Sequence, residues 1–187
     1  MQIEQGVMEN LPFVKIHNRI SVVMGNKCDV KKMISHDETG TRIICWETIG
    51  KCQERQHAFQ EFVPTFSLDE IYRFDSIVQI CIVRSPVSAQ LLFCAGRLPY
   101  RRIRVLFLLG CHLIMSQGLN FEETVLAFRP FKDLFTRYHT SELWLQECWR
   151  ALCCSKCLYW INFSESQEND DRVGIQMDEY IHYARCA

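Results

Sequence analysis

The sequence predicts an α/β layer fold, a central mixed sheet flanked by helices in a single domain, and three observations lead there. Through the middle of the chain, β-prone runs alternate with stretches of helical apolar spacing. Leu91 to Cys94 is a short continuous apolar run, as expected of a strand buried on both faces. That run leads through a loop into a long apolar helix, and strand-to-helix loops of this kind are where such folds hold anions.

Each element has its own local cause. Phe13 to Ile16 and Arg19 to Met24 flank His17 and Asn18, a hairpin whose turn lacks its preferred glycine. Asn26 to Gly40 is polar and reads as loop. Thr41 to Trp46 is β-branched and apolar and reads as a strand, while Gly50 to Pro64 is polar without a clear pattern. Ser67 to Glu70 has capping-box spacing, and Leu68, Ile71, Tyr72, Val78 and Ile82 follow at helical spacing until Ser85-Pro86. After the Leu91–Cys94 run, a helix is expected from near Arg101 to about Gln117, closed by Gly118.

Asn120 caps the next helix with Glu123 at its third position, and Pro130 stops it. Thr140 or Ser141 caps a fourth helix that runs to about Cys154. Tyr159 to Phe163 suggests a short strand, Ser164 to Asp171 an acidic loop, and Met177 to Arg185 a final amphipathic helix. The phenylalanines 128, 131 and 135 and Tyr138 have mixed spacing and read as core.

At 187 residues, 48% hydrophobic and 23% charged, the chain can build one good core without metal or disulfide staples. A net charge of −1 supplies no global basic field, so nucleic acid is not an expected partner. The eleven cysteines are odd in number and irregular in spacing, and several (Cys45, Cys81, Cys94, Cys111) sit within apolar runs. That usage fits mostly unpaired thiols in a reducing, intracellular compartment, cytoplasmic or nuclear. Met1 to Pro12 contains Glu4 and Glu9 and no apolar signal core. The longest apolar stretch, Val105 to Met115, is interrupted by Gly110 and His112 and is too short to span a bilayer, so no membrane partner is expected.

Cys148, Cys153, Cys154 and Cys157 contain a Cys-x2-Cys step, but they lie on or beside a helix with no second Cys/His pair following. No metal and no cofactor is expected. Asp133, Glu142, His112 and His139 form no recognisable acid–base pattern.

The segment Leu91-Leu92-Phe93-Cys94-Ala95-Gly96-Arg97-Leu98-Pro99-Tyr100-Arg101-Arg102 resembles the phosphate loop of the protein tyrosine phosphatases, stripped of its chemistry. In those enzymes a Cys-x5-Arg loop supplies the nucleophilic thiolate and the Arg that clamps phosphate. Here the sixth residue after Cys94 is Tyr100, Arg101 and Arg102 fall one and two residues late, and no His precedes Cys94. No other cysteine of the chain has an Arg six residues on. Cys94, Gly96, Arg101 and Arg102 therefore mark a vestigial loop position, with Cys94 a buried structural thiol. Arg97, Arg101, Arg102 and Arg104 could still gather as an anion site at the helix start, although a solvated or ion-paired face is the stronger expectation.

Over nearly its whole length the chain resembles the N-terminal half of the mitotic-exit dual-specificity phosphatases of the cell division cycle fourteen type. Phe13-Val14-Lys15-Ile16-His17-Asn18-Arg19-Ile20 is similar to that family's opening hairpin, Ile-Lys-Asp-Arg-Leu. Phe62-Val63-Pro64 with Leu68-Asp69-Glu70-Ile71-Tyr72-Arg73 is similar to its Phe-Gly-Pro-Leu-Asn and Tyr-Arg stretch. Arg102, Leu108-Leu109-Gly110, Leu119 to Glu123 and Pro130-Phe131 follow its Arg-Ala-Asn, Leu-Ile-Gly, Thr-Pro-Glu-Glu-Ala and Pro-Phe in order. Asp178-Glu179-Tyr180-Ile181-His182-Tyr183 is similar to its linker helix, Asp-Glu-Tyr-Glu-His-Tyr.

The family joins two phosphatase-like domains, and only the second carries His-Cys-x5-Arg. The resemblance thus implies a phosphatase-like domain over 1–187 that lacks catalysis and helps shape a substrate groove, with 175–187 leading towards a catalytic domain. Asp178, Glu179, Tyr180 and Tyr183 would form the interdomain helix. Ile181 and Ala184 stand where the family has acidic residues, which puts its preference for a basic residue beside the phosphosite in doubt. The implied partner is a phosphatase catalytic domain, in cis if Ala187 is not the natural end and in trans otherwise. Two alternatives stay open: a fragment of an active cysteine-dependent phosphatase, and a pseudophosphatase that binds phosphoproteins through the arginine cluster.

Overall fold

The computed structural model describes residues 13–25, 42–45, 67–95, 99–132, 141–163 and 175–176. Its elements run β1 (Phe13–His17), β2 (Ile20–Val23), β3 (Arg42–Cys45), α1 (Leu68–Val83), β4 (Leu91–Cys94), α2 (Pro99–Met115), α3 (Phe121–Ala127), a 3-10 turn (Arg129–Phe131), α4 (Ser141–Cys157), β5 (Ile161–Asn162) and β6 (Ile175–Gln176). The expected mixed α/β architecture is present. Four strands form a sheet in the order β1-β2-β4-β3, with β1 antiparallel to β2 and the other neighbours parallel. A two-stranded parallel pair, β5 with β6, lies apart from it, and β6 was not anticipated by the sequence.

The hairpin turns without glycine because Asn18 takes the left-handed backbone (φ 23°), which its short polar side chain tolerates better than most. The register also shifts between Lys15 and His17. Arg19 then anchors the turn to the far side of the domain. Its guanidinium donates to the carbonyls of Ala89 (2.9 Å), Ser85 (3.3 Å), Ile82 (3.4 Å) and Pro86. It thereby closes the C-terminal end of α1, where the last carbonyls have no partner within the helix.

Period-two alternation sorts the sheet. Ile16, Ile20, Val22, Ile44, Leu91 and Phe93 belong to the main core with α1, α2 and α4. Val23, Leu92 and Cys94 form a second buried cluster, with Ile43 packed against it. β4 is therefore buried on both sides, as its unbroken apolar run requires.

Helix boundaries follow local chemistry. Ser67 caps α1 by accepting from the Glu70 N–H at 3.2 Å. α2 starts at Pro99 rather than near Arg101, because proline suits a first helical turn where the missing N–H costs nothing. It ends at Met115, and Gly118 completes the exit at φ 74°, a conformation that glycine adopts freely. α3 opens on a full capping box, Asn120 Oδ1 to the Glu123 N–H and Glu123 Oε2 to the Asn120 N–H, both at 2.9 Å. Pro130 ends α3 by sitting inside the 3-10 turn. α4 continues to Cys157, one turn past expectation.

The residues from Val105 to Met115 are all buried, so α2 is the central helix, with α1 and α4 packed on it. Trp149 of α4 packs over Gly110 of α2. A Cβ built at Gly110 would lie 2.3 Å from the indole Cε2, so only glycine lets the two helices approach this far. The indole is fixed by its Nε1–H bond to the Phe107 carbonyl (3.1 Å) and by Phe128, whose ring centroid is 5.0 Å away. Phe128 and Phe131 are core residues as expected, while Phe135 and Tyr138 lie outside the described residues.

Candidate functional site

The junction of β4 and α2 carries the Cys94 segment. Cys94 ends β4, opposite Val23 on one side and Cys45 on the other. It is 5% exposed and packs with Val23 and Leu92, the apolar setting of a structural thiol. The next backbone N–H, of Ala95, is given to the Val23 carbonyl at 3.0 Å. Gly96 and Arg97 lie outside the described residues.

Tyr100, the residue at the sixth position after Cys94, is already in α2. Arg101 and Arg102 are half-buried in its first turns. Arg104 faces α1 instead, and its Nε donates to Glu70 Oε1 at 2.7 Å while Nη2 binds the same oxygen. That forked pair leaves Arg104 committed to joining α1 and α2 rather than to a ligand. Asp178, Glu179, Tyr180 and Tyr183, the expected interdomain helix, lie outside the described residues.

A polar cluster that the sequence did not announce lies between α1 and α2. Asp75 Oδ1 is 2.7 Å from His112 Nδ1, and the Ser116 hydroxyl is 2.7 Å from both carboxylate oxygens. His112 is 0% exposed and Asp75 4%. Gln117 Nε2 stands 3.4 Å from the second ring nitrogen of His112. A serine, a histidine and an aspartate thus meet, but in the wrong order for nucleophilic catalysis. In a hydrolytic triad the imidazole stands between serine and carboxylate to take the hydroxyl proton. Here the carboxylate stands between them, so Ser116 has no base.

Only the Asp75 side of this cluster had a signal in the helical spacing. Ile71, Phe74, Asp75 and Val78 share the buried stripe of α1, and Asp75 is the polar member that must find partners there. Asp133 and His139 lie outside the described residues.

Close by, the Lys156 ammonium reaches from the end of α4 to the carbonyls of Ile114 and Met115, the latter at 3.0 Å. It serves the unpaired carbonyls at the end of α2. Burial pulls the Lys156 pKa down, opposed by the neighbouring Cys153, Cys157 and Asp75.

An apolar groove of about 380 Å³ lies between α3, the 3-10 turn and α4. Phe121, Val125, Phe128, Leu145 and Trp149 line it, with Arg129 and Lys132 at its edge. Arg150 lies over the Phe121 ring, 4.4 Å from its centroid. The groove is not legible in the sequence, since it depends on how α3 meets α4.

Cys148 and Cys153 are half-buried on α4, and Cys154 and Cys157 are exposed. Burial pushes the Cys148 thiol up and raises Cys153 to about 11. Among the described residues, no group of three or more His, Cys, Asp or Glu is placed to hold a metal ion. No described helix is long and apolar enough to cross a membrane.

Neither the protein-family models nor the curated proteins contain a match to this chain.

Proposed function

We propose that this chain is a non-catalytic, phosphatase-like domain, the architectural N-terminal half of a dual-specificity phosphatase of the cell division cycle fourteen type. Its role is to pack on a catalytic domain and help shape the groove that receives phosphoprotein substrates. The observation that carries the reading is Cys94. It ends a buried parallel strand that feeds a long helix, yet it is packed among apolar side chains, with Tyr100 where a phosphatase needs Arg.

The ordered resemblance along the chain supports the same reading, and one of its matched residues, Arg19, serves architecture through its bonds to the α1–β4 connection. The His112–Asp75–Ser116 order, with the carboxylate in the middle, supports an inactive interior for a second, independent reason.

The reading has two tests. The purified chain is expected to leave an aryl phosphate unhydrolysed, and turnover abolished by Cys94→Ser would overturn it. Co-expressed with a catalytic domain of that family, the chain is expected to co-elute as a one-to-one complex. Separate elution of two folded species would count against it. The intact mass of the endogenous protein decides the fragment alternative: a species of roughly twice this mass, as a second domain gives, places the chemistry in a following domain.

A further inference from the structure

Four cysteines fall within one helix: Cys148, Cys153, Cys154 and Cys157 of α4. Cys153 and Cys154 are adjacent and point to different sides of the helix, so they cannot face each other. Cys154 and Cys157 are three apart, on one face, and both are exposed. In a regular α-helix, Cα atoms three residues apart lie about 5 Å from each other. That separation falls inside the window of roughly 4.4–6.8 Å that a disulfide spans.

The position of the pair matters as much as its spacing. Cys157 is the last helical residue, and the chain leaves α4 through Tyr159 in the left-handed backbone (φ 57°). The Trp160 N–H reaches back to the Ser155 carbonyl (2.9 Å) and the Tyr159 N–H to the Lys156 carbonyl (3.0 Å). This pair of bonds is a Schellman closure of the helix. No further turn of α4 is stacked beyond Cys157, so drawing its Cβ towards Cys154 adjusts the terminal turn alone. A metal would need a third ligand, and among the described residues no such group is placed. Cys153 also stands on the helix face of Cys157, four residues away, but it is half-buried where Cys154 is exposed, and burial raises its thiol and disfavours the thiolate.

We propose that Cys154 and Cys157 form a reversible dithiol site that hydroperoxides close to an intrahelical disulfide. The thiolate of one cysteine attacks a peroxide oxygen, the O–O bond breaks, and the other oxygen leaves as alcohol or water after taking a proton. The sulfenic acid so formed is attacked by the second thiolate. The S–S bond forms, and hydroxide leaves and is protonated to water. Two thiols lose two electrons and two protons, and the hydroperoxide is reduced by the same two electrons. Lys156 lies between the two cysteines in sequence, so the closed form clasps the turn from which its ammonium reaches the end of α2. In a reducing compartment a disulfide of this kind is transient and reports oxidant.

Trypsin makes the test direct, because Lys156 separates the two cysteines onto peptides 151–156 and 157–172. The reduced, full-length chain is treated in dilute solution with hydrogen peroxide, alkylated, digested and analysed by mass spectrometry. The two peptides are expected as one disulfide-joined species that a reductant separates. The joined species is expected in the wild type and in Cys153→Ser, and is expected to be missing from Cys154→Ser and Cys157→Ser. Three results overturn the proposal: no joined species at any peroxide dose, a joined species that persists in Cys154→Ser, or one confined to covalent dimers on a non-reducing gel.

Discussion

The carboxylate of Asp75 lies 2.7 Å from Nδ1 of His112 and ties α1 to α2 inside the core. With Ser116 on its other side, Asp75 serves as the shared acceptor of the cluster. Buried polar groups persist only when such partners are present, so these three side chains stand or fall together.

Replacing Asp75 with Ala should strand the imidazole and the Ser116 hydroxyl at a cost of about 1–3 kcal/mol for each unsatisfied group. Asp75→Asn, which keeps one acceptor oxygen, should cost less. Urea unfolding checks both, with the slope expected to stay constant while the midpoint falls. An Asp75→Ala midpoint equal to that of the wild type would show that the cluster contributes nothing.

Gly110→Ala should destabilise by roughly 1–3 kcal/mol through overpacking. The added methyl carbon meets the Trp149 indole at 2.3 Å, and the ring is held in place by Phe107 and Phe128. The double variant Gly110→Ala with Trp149→Phe should recover part of the loss, because the smaller ring frees space. Additive losses in that double-mutant cycle would mean that the two residues do not meet as described.

Arg19→Ala should cost about 1.5–3 kcal/mol, since a charged donor serves several carbonyls at once. Lys at this position should recover only part of that loss, because one ammonium cannot fork across Ala89, Ser85 and Ile82. Hydrogen exchange should localise the effect to the last turn of α1 and the connection to β4. Unchanged exchange there in Arg19→Ala would rule out the anchoring role.

Burial lowers the His17 pKa below 6.5, reinforced by His112 and then opposed by Glu123, with Lys15 a smaller lowering influence. Between the folded value and 6.5 the unfolded chain binds more protons than the folded one. This part of the stability is therefore present above pH 6.5 and is lost as pH falls to the folded pKa, with no further loss below it. His17→Gln should flatten that segment of the stability profile. Parallel profiles for wild type and variant would refute the coupling.

Much of this fold is legible in the sequence, and the reasons are local. Ser67 and Asn120 announce their helices by cap chemistry, and Leu91 to Cys94 announces a doubly buried strand by its unbroken apolar run. Boundaries shifted where two signals compete. Pro99 begins α2 earlier than the Arg-rich start suggests, and α4 outlasts Cys154 because its closing signal is the conformation of Tyr159, a residue with no turn preference of its own.

Of the site, the burial of Cys94 was legible from the unbroken apolar run that ends on it. The Asp75–His112 contact and the groove between α3 and α4 were not legible. Both depend on the pairing of helices distant in sequence, which no single helix encodes.

The strand order β1-β2-β4-β3 also sets a timetable. β1 and β2 are joined by a two-residue turn and can zip locally, whereas Ile20 must wait for Leu91, which arrives only after most of the first half of the chain has been gathered. Contacts of that sequence separation are slow to form. Pulsed hydrogen exchange during refolding should therefore protect the hairpin amides before those of Leu91 to Cys94, and simultaneous protection would contradict this order. The strand that ends at Cys94 is then the keystone of assembly: β3 pairs with no other described strand of the sheet and can be seated only with or after β4, and buried apolar clusters close on both faces of β4.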